Sequence, residues 1–131
     1  AEEMGIYETP YEHFGKLTYE MWRACRLVVD TGIHEFGWSR DQAVNFMKSN
    51  TALSIHEINT EIDRYISWPG QALAYKIGEL KIRSLRNKVE EKLGQNFDIR
   101  EFHELILEKG TVTLSILEKR INQYLEKKVH E

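Results

Sequence analysis

The sequence is short of cysteine, proline and glycine, and each shortage excludes a class of protein. Its 131 residues include one cysteine, two prolines and eight glycines. The single cysteine, Cys25, excludes an internal disulfide framework and any metal site built from several cysteines. The scarcity of proline and glycine argues against repeated β-turns and proline-rich linkers. No apolar run approaches the roughly 20 residues that cross a bilayer, so no membrane-spanning segment is expected.

An excess of positive charge is also missing. Lysine and arginine total 18 against 21 aspartates and glutamates, which gives a formal net charge of −3. Proteins that bind nucleic acid through bulk electrostatics are usually basic. No nucleic-acid partner is therefore expected.

Four capping-box patterns predict helix starts along the chain. In each, a Ser, Thr or Asp side chain can accept a hydrogen bond from the backbone N–H three residues on, and a Glu or Gln at that position can bond back. The four are Thr9–Glu12, Ser39–Gln42, Ser54–Glu57 and Asp98–Glu101. Pro10 also stands at a first helical position, where its missing N–H costs nothing.

Apolar residues at steps of three and four follow these starts and predict an all-α fold, a helical bundle of about six helices. The predicted ranges are about 10–34, 40–50, 55–67, 70–93, 99–109 and 113–129. Trp68-Pro69-Gly70 separates the third helix from the fourth, because proline disfavours helix in the residue before it. We expect residues 1–131 to form a single all-helical domain, or a fragment of one.

The first helix is apolar on two sides. Its main stripe, which we expect to face the core, is Tyr11, Phe14, Leu17, Met21, Cys25 and Val28. Further apolar residues lie off that stripe at Trp22, Leu27, Val29 and Ile33. A helix of this kind needs neighbours on two sides, and six helices are few. The off-stripe residues are therefore predicted to form an exposed apolar patch or a homodimer contact.

No complete zinc-binding motif exists in the sequence. The zinc peptidase signature His-Glu-x-x-His places two imidazoles one helical turn apart, with the glutamate acting on the zinc-bound water. His-Glu pairs begin at His34, His56 and His103, but the fourth residue after each histidine is Trp38, Thr60 and Leu107. No metal site is predicted.

Asp30 and His34 lie four residues apart and share one face of the first helix. A carboxylate one turn from an imidazole can orient it or join it in a metal site. The alternative is structural. In that case His34 bonds to the carbonyls at the end of its own helix, with Asp30 as a local partner.

Arg64 and Tyr65 lie just before the Trp-Pro-Gly break, and Tyr75 lies just after it. An arginine can clamp a carboxylate with two parallel N–H bonds, and a tyrosine can donate to an oxyanion. In the structural alternative, Arg64 pairs with Glu61 and both tyrosines lie in the core with their hydroxyls satisfied. The basic residues of the fourth helix are interpreted as a solvated face.

Five sequence segments, taken together, identify a protein family more specifically than any single short motif does. They are RACRLVVDTGIH (23–34), GWS (37–39), EIDRYI (61–66), PGQALAYKIG (69–78) and FDIREFH (97–103). In this order and spacing they resemble the C-terminal portion of bacterial proteins in the domain-of-unknown-function 885 family. The resemblance runs from about Tyr11 to about Leu125.

This resemblance implies a longer, mostly helical parent similar to zinc metallopeptidases of the gluzincin group, with its zinc-binding motif upstream. The chain would then be a C-terminal fragment, inactive alone, with no cofactor of its own and zinc in the parent. By position in the motifs, the resemblance assigns catalytic roles to Tyr65 and Tyr75, and substrate binding to Arg64, His34 and Asp30. The implied partners are the remainder of the parent chain and a peptide substrate.

The alternative function is a non-catalytic helical module that binds another protein through exposed apolar faces. A nucleic-acid contact through the fourth helix is a weaker third hypothesis. The family is bacterial and includes exported lipoproteins, so both a cytoplasmic and an exported location stay open.

Overall fold

The computed structural model describes residues 5–129, which form six α-helices and no strand. The helices are α1 (Pro10–His34), α2 (Arg40–Asn50), α3 (Ile55–Ser67), α4 (Ala74–Leu93), α5 (Ile99–Leu107) and α6 (Leu114–Val129). Short 3-10 turns stand at Gln71–Leu73 and Gly94–Asn96. The predicted all-α fold is confirmed.

Three of the four predicted capping boxes form, at Thr9, Ser39 and Ser54. The fourth prediction is wrong in detail. The Asp98 side chain caps α5 by accepting from the N–H of Arg100, two residues on, and it also pairs with the Arg100 guanidinium. Glu101 is drawn away from the cap because its carboxylate accepts the Tyr124 hydroxyl.

The Trp-Pro-Gly break falls where the sequence predicts it. Helix α3 ends at Ser67, and Gly70 takes a left-handed conformation with φ of 79°, which glycine adopts without strain. Helix α4 begins at Ala74 rather than at about residue 70, because the 3-10 turn occupies the residues between. Helix α5 ends at Leu107, two residues before its predicted end.

The chain forms two compact units, an N-terminal unit (Ala1–Lys76) and a C-terminal unit (Ile77–Glu131). In the N-terminal unit the buried apolar core comes from α1, α2, α3 and the first 3-10 turn: Cys25, Val29, Ala43, Met47, Ile58, Ile62, Tyr65 and Ala72. In the C-terminal unit the core comes from α4, α5 and α6: Leu85, Val89, Phe102, Leu117, Ile121 and Leu125. A single domain over residues 1–131 stays a prediction.

Cys25 behaves as a small apolar residue in the N-terminal core. It is buried, and burial raises the pKa of its thiol. The expectation of a buried Cys25 is confirmed, and its raised pKa disfavours the reactive thiolate.

The two sides of α1 are the reverse of the prediction. Most of the predicted core stripe is exposed, and we call this set the outer face of α1: Tyr11, Phe14, Leu17, Met21 and Val28. The predicted exposed residues turn inward instead: Val29 is fully buried, while Trp22 and Ile33 pack against the N-terminal core. Leu27 is half-buried. An exposed patch at these four residues is therefore a wrong prediction, because α2, α3 and the 3-10 turn pack on the side of α1 that carries Val29.

Candidate functional site

A chain of hydrogen bonds on α3 centres on the carboxylate of Glu61. The Arg64 guanidinium donates to both carboxylate oxygens, with Nε 3.3 Å from Oε1. The Tyr65 hydroxyl donates to Oε2 at 2.7 Å. Spacings of three and four residues put all three side chains on one side of the helix. The local pairing of Arg64 with Glu61 is confirmed.

Tyr65 links this chain of bonds to α1. The residue is 1% exposed, and its hydroxyl accepts the indole N–H of Trp22 at 3.0 Å while it donates to Glu61. Burial, followed by the bond to Glu61, raises the pKa of Tyr65 well above its ordinary value. The tyrosine therefore stays neutral, and its proton is already engaged.

Glu61 carries the negative charge of this group. Its burial raises its pKa, but the bonds from Arg64 and Tyr65 and the positive charges of Arg64 and Arg26 outweigh burial. The net result is a pKa below the ordinary value for glutamate. Glu61 is therefore an ionised acceptor near neutral pH.

Arg64 has a second hydrogen-bond partner, which lies after the break. Its Nη1 donates to the Gln71 side chain at 2.5 Å. All the arms of this guanidinium are thus directed at groups within the chain. An incoming carboxylate would have to compete with Glu61 for the same donors.

Asp30 and His34 bind separate partners and do not bind each other. Asp30 is 2% exposed, and both of its oxygens accept from the Gly70 N–H at 3.1 Å. The exposed His34 places Nε2 2.9 Å from the Tyr65 carbonyl oxygen, which can only accept, so this contact requires a proton on Nε2. The structural alternative, with Asp30 as local partner and bonds within α1, is therefore wrong. Both residues instead tie α1 to the end of α3 and to the break.

Arg26 is a member of this site that the sequence patterns missed. It is 5% exposed, and its guanidinium carbon lies 5.9 Å from the ring centre of Trp22 and 5.5 Å from those of Tyr65 and Tyr75. Its Nε and Nη2 are buried without a hydrogen-bond partner. The signal was available, because Arg26 is one helical turn from Trp22 and three residues before Val29 on the inward side of α1.

Tyr75 differs sharply from Tyr65. It is 62% exposed, so its predicted place in the core under the structural alternative is wrong. Its ring lies 5.2 Å from the Arg23 guanidinium carbon and 5.5 Å from that of Arg26. Cation–π attraction to two arginines positions this ring at the surface.

A cleft of about 510 Å³ opens beside the hydrogen-bonded chain. Trp22 and Glu61 belong to both, and the rest of the wall includes Tyr19, Leu53 and His56. The volume falls in the range of roughly 300–1,000 Å³ typical of small-ligand sites. The cleft combines aromatic walls with an ionised carboxylate.

The described part of the chain gives little support for a metal site, a nucleic-acid-binding surface or a membrane span. Residues 5–129 contain no group of three or more His, Cys, Asp or Glu side chains that could hold a metal ion. Several basic side chains of α4 are paired with acidic ones, as Lys81 is with Glu118 and Arg86 with Glu90. Among these residues no helix has the length and apolar character needed to cross a membrane.

The fold and this site together define an all-helical protein with a buried polar chain beside a ligand-sized cleft. A family model described as a bacterial protein of unknown function (DUF885) matches residues 1–121, and the chain belongs to this family. The predicted family is confirmed. No curated protein matches the chain.

A solved structure extends this comparison. The chain is similar to a crystal structure described as "the putative lipoprotein from Colwellia psychrerythraea", with a TM-score of 0.93 and 44% sequence identity. The match covers 97% of this chain and 22% of that one. The chain therefore spans about a fifth of the length of the structure that it matches.

Proposed function

We propose that this chain is the substrate-side, C-terminal portion of a zinc-dependent peptidase-like protein and is inactive alone. The cleft bounded by Trp22 and Glu61 carries the proposal, because it joins a ligand-sized space to a fixed set of hydrogen-bonding groups. The greater length of the similar solved structure supports a longer parent. The resemblance of the five segments supports the peptidase class.

The residues of this chain do not fit a zinc site. Its three His-Glu pairs lack the second histidine, and its described residues form no cluster of metal-ligating side chains. In this proposal zinc is held by residues outside the chain.

Hydrogen-bond donation to a peptide is the chemistry that this chain would supply. Tyr75 is the better oxyanion donor, since its hydroxyl belongs to an exposed side chain, whereas the Tyr65 proton is bonded to Glu61. Tyr65 and Arg64 would act as positioning residues that hold Glu61 and the cleft wall. Asp30 and His34 would fix the break that carries Tyr75.

The test is peptide hydrolysis by a zinc-loaded full-length family protein that contains this region. Tyr75→Phe should lower kcat by about a hundredfold with a small change in KM, because an oxyanion donor acts mainly in the transition state. Tyr65→Phe should lower kcat less. Tyr124→Phe is the matched control, since that hydroxyl bonds Glu101 in the C-terminal unit, and it should leave turnover unchanged.

The contrary result is equally clear. If Tyr75→Phe, Tyr65→Phe and Arg64→Ala all keep wild-type turnover and affinity while melting at lower temperature, these residues are scaffold and the proposal fails.

A second function, a protein-interaction module, is favoured by the outer face of α1. Five large apolar side chains are exposed there, including Leu17 and Met21. Self-association would appear in sedimentation equilibrium as a concentration-dependent mass. Leu17→Glu with Met21→Glu should abolish it, and a monomer at all concentrations would contradict the homodimer.

A further inference from the structure

Arg26 is a buried cation that makes no direct ion pair with any described residue. Among the described residues it has no carboxylate within ion-pair distance, although its charge is felt by Glu61. Buried guanidinium groups are normally paired, because both the charge and the N–H groups lose water. A buried donor without a partner in a folded protein calls for an explanation.

The aromatic rings around Arg26 do not explain the missing hydrogen-bond partners. Cation–π attraction stabilises the charge, and the rings of Trp22, Tyr65 and Tyr75 provide it. A guanidinium is planar, however, and its N–H bonds point outward in that plane. No ring contact replaces the hydrogen bonds that Nε and Nη2 lack.

Two other arginines of the same unit show what this edge of the group binds. Arg40 donates from Nε and Nη2 to the two carboxylate oxygens of Asp63, at 2.7 and 3.0 Å. Arg64 donates from the same two nitrogens to the two oxygens of Glu61. In Arg26 the same pair of nitrogens is unoccupied.

The geometry points to a carboxylate-binding site at the Nε and Nη2 edge of Arg26, with the terminal carboxylate of a peptide as its ligand. The choice of a peptide rests on the proposed function, whereas the choice of a carboxylate rests on the free edge of the guanidinium. Two parallel N–H bonds would form, as they do at Arg40 and Arg64. Arg23, which shares the Tyr75 ring with Arg26, adds a second positive charge beside the site.

Tyr75 is the cover of this site. Of the three rings around Arg26, that of Tyr65 is in the core and that of Trp22 is half-buried and bonded to Tyr65. Tyr75 is 62% exposed, so its ring can turn aside without disturbing the core. Turning it would remove one of the three rings that surround the Arg26 guanidinium and leave the hydroxyl of Tyr75 beside the bound peptide.

The test measures binding directly in the chain. The probe is N-acetyl-alanyl-alanine with a free carboxylate, compared with its C-terminal amide. The signals are the ¹⁵N–¹H resonances of Arg26 Nε in the wild type and of the neighbouring Trp22 indole, which every variant retains. The free acid should shift both resonances saturably in the wild type and the amide should shift neither. Arg26→Gln should weaken binding at least tenfold, whereas Arg40→Gln, a matched loss of an arginine on α2, should change it less than twofold.

Three results would overturn the inference: equal binding of acid and amide, unchanged affinity in Arg26→Gln, or tighter binding of inorganic phosphate than of the free acid. If Arg26→Gln does not fold, Arg26→Lys is the second variant. It keeps the positive charge but lacks the two parallel N–H donors, so it should also bind at least tenfold more weakly. Acetate serves as a further probe, and if it binds as tightly as the peptide the ligand is a small acid and the peptide assignment fails.

Hydrolysis by the full-length protein separates this inference from the proposed function. Carboxylate binding at Arg26 without any peptide hydrolysis would refute the peptidase and leave the carboxylate site standing. Hydrolysis in which Arg26→Gln keeps the wild-type preference for free acid over amide would refute the site and leave the peptidase standing.

Discussion

The two units differ in what they bury. The N-terminal unit encloses two charged residues, Arg26 and Asp30, within an apolar core, and bonds its helices together through long-range polar contacts. Among the described residues of the C-terminal unit, the buried residues are all apolar. Its polar contacts, such as Lys81 with Glu118 and Tyr124 with Glu101, lie at the surface.

This difference separates scaffold from candidate site. Burial of apolar side chains stabilises a helical unit but does not indicate a binding or catalytic site. The packing of α4, α5 and α6 is explained by such burial alone. Burying Arg26 and Asp30 costs free energy unless each is compensated. Asp30 is compensated by Gly70, whereas Nε and Nη2 of Arg26 have no hydrogen-bond partner, so the N-terminal unit is where we expect function.

Core truncation should give the largest effect, and it should be similar in the two units. Ile62 and Ile121 are both fully buried. Ile62→Ala and Ile121→Ala should each lower the free energy of unfolding by about 2–5 kcal/mol, through lost burial and a residual cavity. Urea denaturation followed by far-UV circular dichroism measures this. Ile116→Ala, on the exposed side of α6, should stay within about 0.5 kcal/mol of wild type.

The same variants test the single-domain prediction. All three tryptophans lie in the N-terminal unit, so their fluorescence reports on that unit alone. A single domain requires Ile121→Ala to unfold with the same midpoint by fluorescence and by circular dichroism. Two distinct midpoints would contradict the prediction.

Removing the buried carboxylate should give the next largest effect. Asp30→Ala leaves the Gly70 N–H without its acceptor and should lower the free energy of unfolding by about 2–3 kcal/mol. Asp30→Asn keeps one acceptor oxygen and should lose less. Thermal unfolding monitored by tryptophan fluorescence checks both, and a melting temperature equal to wild type in Asp30→Ala would show that the bond contributes nothing.

Tyr65→Phe should have a smaller effect. The change removes the bond to Glu61 and leaves the Trp22 indole N–H without an acceptor, at a cost of about 1–2 kcal/mol. Urea denaturation measures the difference. Tyr124→Phe is the comparison from the C-terminal unit, and it should cost less because the Tyr124 hydroxyl bonds at the surface. A larger stability loss in Tyr124→Phe than in Tyr65→Phe would contradict this contrast between the units.

Local signals explain how much of this molecule could be predicted. Capping boxes at Thr9, Ser39 and Ser54 involve neighbours three residues apart, so the helix starts were readable. The pairing of Arg64 with Glu61 was readable for the same reason. Tertiary packing decides the rest, and sequence spacing does not reveal it.

Two failures show this limit. Periodicity found both apolar sides of α1, but the packing of α2 and α3 decides which side is buried. The bond from Gly70 to Asp30 spans forty residues, and no local pattern indicates it. Arg26 shows both halves of this limit, because its spacing from Trp22 and Val29 places it on one side of α1, whereas the missing partners of its Nε and Nη2 appear only in the folded chain.

Acid should destabilise the N-terminal unit by protonating the partly buried Glu61. Its pKa is lowered in the folded chain relative to its ordinary value, so the folded state binds its proton less readily than the unfolded state does. Its contribution to stability is therefore fully present above about pH 4.5, the unfolded value, and is lost as the pH falls through the lower folded value.

Glu61→Gln removes this linkage. The stability difference between wild type and Glu61→Gln should be largest near about pH 6 and should shrink steadily toward about pH 3. Urea denaturation followed by tryptophan fluorescence at several pH values measures it in the N-terminal unit. Glu126→Gln, the loss of one exposed carboxylate on α6, controls for net charge and should give a small difference that the same fluorescence signal barely registers. If the stability difference for Glu61→Gln is constant across this pH range, the bonds from Arg64 and Tyr65 do not lower the pKa of Glu61. The description of Glu61 as an acceptor held in its ionised form by these bonds would then be wrong.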